Sequence, residues 1–413
     1  MNNYSSVIDK NKKLGLQQVK ILLRSRLSEK APGKIQFLAG PRQVGKTTLL
    51  LELAGEWGGQ ALYASADAPE ASLPGWADGI WRQALDLSSA GPAVLFLDEV
   101  QYLPDWQRWL KGRFDALVRA RMPLHVVATG SSALTVGEGT RETMAGRFER
   151  MVLNHWSAAD LVSEFGLTPE EASARIVSHG GYPGAVAFWD QPERWLRYVR
   201  DAMIEPAIGK DILQLEMVRK PALLRQVFAL AASQPAEILS LEKMAGVLAE
   251  KGALETIAHY LELLGEAFLV KPVRKFSGTE LRRRKSPPKL VLLNNALLCA
   301  GGAGLPPSAT TEPERWGRWV ENACLAHAIN AGREVHYWRE EPWEVDAVVG
   351  TGDNRCLIEV KTGRYGLQDL RGLAHACKRF PQMRPLVLCD PGEEGVARGA
   401  GFDACAWPDF LME

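Results

Sequence analysis

The sequence predicts an α/β multidomain protein with a parallel-sheet core at its N-terminal end and a domain of αβββαβ order at its C-terminal end. Three observations predict this. A β-branched, apolar segment from Lys34 runs into a glycine-bracketed turn and then into strong helix formers. Another apolar segment, from Ala93, ends in the adjacent acids Asp98 and Glu99. Beyond residue 300 the elements read helix, three strands, helix, strand, an αβββαβ order.

The turn carries the first chemistry. Gly40, Pro41, Arg42, Gln43, Val44, Gly45, Lys46, Thr47 and Thr48 follow the pattern G-x-x-x-x-G-K-[ST]. Glycines let the backbone curl so that successive N–H groups face an anion, and the new helix points its positive end there. Lys46 is then placed to reach the β- and γ-phosphates, and the Thr47 hydroxyl to ligate magnesium. The expected ligands are ATP and Mg²⁺, with Lys46 serving binding and catalysis alike.

Asp98 and Glu99 arrive where doubly wound sheets place ligands, at the C-terminal end of a buried strand. Asp98 suits a water-mediated hold on the magnesium. Glu99 suits orienting and deprotonating the attacking water, which argues for hydrolysis rather than storage of nucleotide. A further strand from Leu124 ends in Thr129, Ser131 and Ser132. These hydroxyls read as sensors of the γ-phosphate, with N-capping by Ser131 or Ser132 as the alternative.

Composition sets the frame. With 413 residues the chain is long for one domain, so several are expected. Lys plus Arg and Asp plus Glu number 49 each, so any nucleic-acid contact must come from a local patch. The six cysteines all follow Leu298 without a C-x-x-C pair, which favours reduced thiols. Neither a bilayer-length apolar run nor an apolar signal core in "MNNYSSVIDKNKK" is present, so the expected location is cytoplasmic, with no membrane partner.

The middle of the chain is helical. "LNHWSAADLVSEFGL" and "EEASARIVSHGGYPGAVAFW" read as helices broken at Gly180-Gly181-Tyr182-Pro183. From Pro221 three amphipathic helices lead into the strand-like "AFLVKPVRKF", the pattern of a winged helix. Its third helix, from Leu254, would present Thr256, His259 and Glu262 to DNA. A protein-binding adaptor is the alternative, because Glu255 and Glu262 disfavour phosphate contact. The stretch Lys271 to Lys289 is strongly basic, and Arg282, Arg283, Arg284 and Lys285 suit a wing on phosphates or a solvated loop.

The C-terminal third carries the second constellation. Glu359 and Lys361 flank Val360 and so share one strand face. Asp346 lies on the preceding strand and Glu321 on the preceding helix. Two carboxylates could share magnesium while Lys361 positions a water, a chemistry suited to a phosphodiester. A salt-bridged Glu359–Lys361 pair is the plain alternative. The histidines at 327, 336 and 375 lack ligand spacing and read as structural, and Trp338 and Trp343 as core.

"GPRQVGKTTL", "LDEVQYLPDWQ", "ATGSSAL" and "MAGR" together resemble the AAA+ ATPases, in a prokaryotic branch related to archaeal and STAND-like ATPases. Many of these carry a C-terminal restriction-endonuclease-like domain, and Asp346 with Glu359-Val360-Lys361 resembles the PD-(D/E)xK pattern. The resemblance implies an ATPase core over residues 1–155, a helical lid over 156–220, a winged helix with a basic wing over 221–300, and a PD-(D/E)xK-like domain over 301–413. It implies packing roles for Tyr182 and Pro183 in the lid turn, with adenine contact as the alternative. It also implies a ring, expected to be a hexamer, and an arginine finger, for which Arg147 in "AGRFER" is the candidate with Arg141 and Arg150 behind it.

Three functions then compete. One is an ATP-driven motor or remodeller of branched or forked DNA. Another is an ATP-gated, metal-dependent nuclease. The third is an ATP-dependent switch that binds a protein partner.

Overall fold

A computed structural model describes residues 15–130, 144–213, 218–250, 252–277, 286–299 and 304–413. The chain divides into two compact units, Leu14–Asn154 and His155–Glu413.

In the first unit, α1 (Leu16–Leu27) precedes β1 (Ile35–Ala39), α2 (Lys46–Trp57) and β2 (Ala61–Ser65). Then follow α3 (Trp76–Ser89), β3 (Ala93–Asp98), α4 (Trp106–Ala120), β4 (Leu124–Gly130) and β5 (Phe148–Val152). Among the described residues the five strands form one sheet in the order β2-β3-β4-β1-β5, every pairing parallel. β1, β3 and β4 are buried along their whole length, as expected where helices cover both faces of a parallel sheet. α4 buries Trp106, Leu110, Phe114 and Leu117, a stripe at helical spacing that packs on the sheet. α1, which the sequence reading does not single out, buries Val19, Leu23 and Leu27, each one helical turn apart.

The second unit begins with α5 (Ala158–Phe165), α6 (Pro169–His179) and α7 (Pro192–Tyr198). Ser157 and Asp160 form a capping box before α5, and Thr168 and Glu171 form another before α6, with Pro169 as first helical residue. Next come α8 (Pro221–Ser233), α9 (Leu241–Val247) and α10 (Leu254–Glu266), then the antiparallel hairpin of β6 (Val270–Val273) and β7 (Lys289–Leu292). The three helices and the strand after them stand where the sequence places them, and the structure adds β7, which the sequence reading does not single out. The last part holds α11 (Pro313–Asn330), β8 (Val335–Glu340), β9 (Trp343–Val349), β10 (Cys356–Val360), α12 (Arg371–Arg379) and β11 (Arg384–Cys389). Here the predicted αβββαβ order stands. Beyond it the structure adds α13 (Glu394–Gly399), β12 (Asp403–Ala406) and α14 (Trp407–Met412). The sheet order is β12-β11-β10-β9-β8, antiparallel from β8 to β10 and parallel from there.

The stretch expected as a helical lid, 156–220, falls within the compact unit that also holds the C-terminal elements. The physical reason is a set of buried ties. Asn295 Nδ2 donates to Val177 O (2.8 Å), and Ser173 Oγ donates to Pro408 O (3.1 Å). A Cβ on Gly180 would stand 1.8 Å from Asn294 Oδ1, and one on Gly181 would stand 2.2 Å from Trp156 O. The Gly180-Gly181 turn is therefore a close backbone approach, and Tyr182 is buried edge-on to His155, as packing requires.

His155 gives this unit a pH dependence. Its Nε2 lies 3.0 Å from Phe268 O and its Nδ1 3.2 Å from Asn294 Nδ2. The neutral ring satisfies both, donating to the carbonyl and accepting from the amide. A second ring proton would face an N–H donor. Burial accordingly pushes the ring from 6.5 down to about 4. The unfolded histidine protonates first as pH falls. Stability is thus complete above pH ~6.5 and is lost as pH falls through ~4, about 3 kcal/mol in all. His179, pushed down to about 4 by burial and by Arg175, acts in the same direction. Unfolding midpoints followed by circular dichroism across this window are expected to fall, and His155→Gln to flatten part of the slope. An unchanged slope in the variant would refute the assignment.

Candidate functional site

The parallel sheet sends the C-terminal ends of β1, β3 and β4 to one edge. β4 lies between β1 and β3, with Leu38 opposite Thr129 and Leu97 opposite Ala128. Thr129 therefore stands beside Asp98, one residue beyond the last pair. Glycines shape the loop after β1. A Cβ on Gly40 would stand 2.1 Å from Leu153 O, and Gly45 takes a left-handed φ of 94° as it opens α2. Val44 and Pro41 are buried beneath the loop, whereas Gln43 and Thr48 are exposed.

The polar groups converge. Lys46 is 5% exposed, and its Nζ donates to Gly40 O (3.0 Å) and Pro41 O (2.8 Å). Asp98 is 2% exposed and accepts three hydroxyls. Thr47 Oγ1 (2.7 Å) and Tyr63 OH (3.0 Å) donate to Oδ2, and Thr129 Oγ1 donates to Oδ1. Thr129 Oγ1 also accepts the Glu99 backbone N–H at 3.0 Å. Glu99 itself adopts φ 53°, the left-handed region that a non-glycine residue enters at a cost. Gln101 Nε2 donates to its Oε2, and burial raises its pKa against the pull of Lys46, Gln101 and Arg42. Arg42 donates to Tyr102 OH at 3.0 Å.

The loop, Asp98, Glu99 and Thr129 thus meet as the sequence reading expects. Tyr63, Gln101 and Tyr102 escaped it. Only "DEVQY" gave a signal for the last two. Ser131, Ser132 and Arg141 lie outside the described residues. Arg147 is at the far end of the sheet, where its carbonyl accepts from Ile35 N at the start of β1. Its guanidinium grips Asp115 with two bonds, 2.7 and 3.1 Å.

The C-terminal constellation also assembles, around a residue read differently from sequence. Lys361 Nζ donates to Glu359 Oε1 (2.6 Å), and the Val360 N–H donates to Asp346 Oδ2 (2.8 Å). Between Glu321 and Asp346 lies Lys289, the last cation of the basic stretch Lys271–Lys289. That stretch was expected to face phosphates or solvent. Lys289 instead is 1% exposed, because β7 pairs with β6 and directs its side chain into the acids. Arg282, Arg283, Arg284 and Lys285 lie outside the described residues. Among the described residues, no group of three or more His, Cys, Asp or Glu side chains forms a metal site.

Comparison with known proteins bears on the first unit. The family described as "AAA domain" matches residues 32–162. That stretch holds the sheet of the first unit and so resembles an AAA domain. Two domains of unknown function match residues 170–307 and 316–410. The ATPase family gene 2 protein homolog B of Mus musculus is 46% identical over 71 residues, 16% of this chain and 10% of that protein. Its Homo sapiens counterpart is 34% identical over 129 residues, 28% of this chain and 17% of that protein. The chain therefore spans a small fraction of those relatives. Among solved structures, AMPPCP-bound DnaA from Aquifex aeolicus is 17% identical at a TM-score of 0.32, covering 60% of this chain and 86% of that one. A RuvB variant from Thermotoga maritima is 18% identical at 0.34, covering 63% and 90%. At such scores these likenesses carry nothing about activity. Among the described residues no helix is long and apolar enough to cross a membrane.

Proposed function

We propose that the protein hydrolyses ATP at the loop of residues 40–48 and couples turnover to the remodelling of DNA, with branched or forked DNA as the expected form. The observation that carries the first half is the Asp98 carboxylate, held by three hydroxyls behind the loop with half-buried Glu99 next to it.

The residues fit the nucleotide and its metal. Lys46 has an ammonium whose present acceptors are the loop's own carbonyls, groups a phosphate outcompetes. Thr47 and Asp98 would hold magnesium, which supplies charge neutralisation for the phosphates. Tyr63 and Thr129 orient Asp98 for that task. Thr129 also fixes the Glu99 backbone, so the carboxylate that takes a proton from water is set by the same hydroxyl. Raised basicity brings Glu99 closer to the pH at which it works.

The DNA half rests on the second unit. Three helices end in a hairpin, and Lys271 on β6 with Arg274 and Lys275 just beyond it opens the basic stretch. On α10, His259 and Glu262 are exposed and Thr256 is half-buried, while Ile257, Tyr260 and Leu261 face inward. Such a face beside a basic wing suits a duplex. Ring assembly with an arginine supplied between copies belongs to the same proposal. Use of Arg147 would require it to leave Asp115.

ATP turnover measured at low salt with single-stranded, blunt duplex and forked DNA tests both halves, because phosphate contacts weaken with salt. Turnover that one DNA form raises several-fold is the expected result. Turnover indifferent to all three would overturn the DNA half, and no turnover at all would overturn the first.

A further inference from the structure

The resemblance of the C-terminal domain to PD-(D/E)xK proteins implies a divalent ion between Asp346 and Glu359. The residues present do not fit one, because a cation of the chain's own already stands against Asp346 and the helix acid Glu321. Lys289 Nζ lies 2.7 Å from Glu321 Oε1, 3.4 Å from Glu344 Oε1 and 3.5 Å from Asp346 Oδ1. Its N–H groups donate to Glu321 Oε1 and to the Asp346 carbonyl (3.4 Å), and the carboxylates of Glu344 and Asp346, both on β9, stand beside it. Burial alone would push Lys289 toward its neutral form, yet the three acids hold it charged, raised above an ordinary lysine.

The rest of the cluster is arranged around that charge. Lys361 takes Glu359 Oε1. Glu359 is 7% exposed, and its Oε2 is buried with no hydrogen-bond partner. Such a carboxylate oxygen, in the field of Asp346, is tolerable when the acid carries a proton, and burial and Asp346 do push Glu359 up to about 8. Two ammonium groups thus serve four acids. A divalent ion at 2.0–2.6 Å from the same oxygens, about the range hard cations require, would overlap the ammonium and repel it.

The lysine comes from β7, outside the αβββαβ segment. The same hairpin also runs along β8, where Phe276 N donates to Tyr337 O (2.6 Å) and Tyr337 N to Arg274 O (3.2 Å). We propose that Lys289 is a resident cation which closes this acid cluster to divalent metal and pins the β6–β7 hairpin to the C-terminal domain. The C-terminal domain as folded is then no metal-dependent nuclease. The inference is independent of the ATP site.

Manganese binding to the full chain, without nucleotide, followed by electron paramagnetic resonance, tests it. Wild-type protein and Asp346→Asn are expected to bind Mn²⁺ alike, since Asp346 is not available to metal. Lys289→Ala is expected to gain one Mn²⁺ site, which Lys289→Ala with Asp346→Asn loses. Its unfolding midpoint should drop, and millimolar Mn²⁺ should restore part of the drop, as any ligand of the folded state does. Should Lys289→Ala fail to fold, Lys289→Gln, which keeps most of the bulk without the charge, is titrated in its place by the same criteria. Manganese bound by wild type and lost in Asp346→Asn would overturn the proposal. So would a folded Lys289 variant that gains no Asp346-dependent site.

Discussion

Replacing Glu99 by glutamine is expected to lower ATP turnover by about 10²–10⁴-fold, the usual contribution of a general base, while ATP still binds. The substitution changes one atom. Glutamine keeps the length and planarity of the side chain, and its carbonyl can still accept from Gln101 Nε2. The backbone N–H to Thr129 and the left-handed turn at φ 53° do not involve the side chain. What disappears is the capacity to take a proton. Binding depends instead on the loop N–H groups and Lys46, which the change leaves alone. Single-turnover kinetics with a fluorescent ATP analogue separate the two quantities. A variant that hydrolyses at the wild-type rate would remove Glu99 from the chemistry. Loss of binding would mean that the carboxylate holds the loop together rather than acting on water.

The raised pKa of Glu99 sharpens this reading. Burial favours the protonated form, and a base must be ionised to act. The acidic limb of the turnover profile is therefore expected above the ordinary carboxylate range, and it should vanish in the glutamine variant's residual rate.

What the sequence reveals differs between the two sites for a physical reason. Gly40 to Thr48 is contiguous, and its geometry follows from glycine dihedrals and one helix end, both local properties. Asp98, Glu99 and Thr129 are each announced by an apolar strand stopping at a polar residue, and parallel pairing alone brings them together. Tyr63 carries no such mark. It reaches Asp98 because β2 lies beside β3, an adjacency set by the whole sheet. In the C-terminal cluster, Glu321, Asp346, Glu359 and Lys361 follow from alternation along strands and a helix. Lys289 does not, because composition places it in a basic run and only the hairpin's docking buries it. Glu344, two residues before Asp346 on β9, was likewise within reach of the alternation rule but reads as one more surface acid. The helices of residues 158–198 were legible as helices. Their gathering with the C-terminal sheet was not, since it depends on Asn295 and Ser173 meeting carbonyls far along the chain.

Asn322→Ala is expected to destabilise the second unit by roughly 3–5 kcal/mol, because buried backbone groups would be left without partners. Asn322 is fully buried on α11. Its Oδ1 accepts Leu292 N (3.0 Å), and its Nδ2 donates to Leu292 O (2.9 Å) and to Asn295 Oδ1 (2.8 Å). The side-chain amide thus acts as a strand neighbour for the end of β7, satisfying an N–H and a C=O that no strand on that side reaches. Asn295 in turn donates to Trp319 O at 2.9 Å and to Val177 O, so the same amide steadies the tie to α6. Alanine would supply none of these partners. A fall of roughly 10 °C in the unfolding midpoint is the corresponding calorimetric result. Leu292 lies three residues after Lys289 on the same strand, so loosening that end should also loosen the ammonium among its acids. If the lysine pins the hairpin, Asn322→Ala should therefore begin to admit Mn²⁺ at the Asp346 cluster. A destabilisation below about 1 kcal/mol would instead show that β7 is held by its backbone partners in β6 and residues 236–239 without the amide.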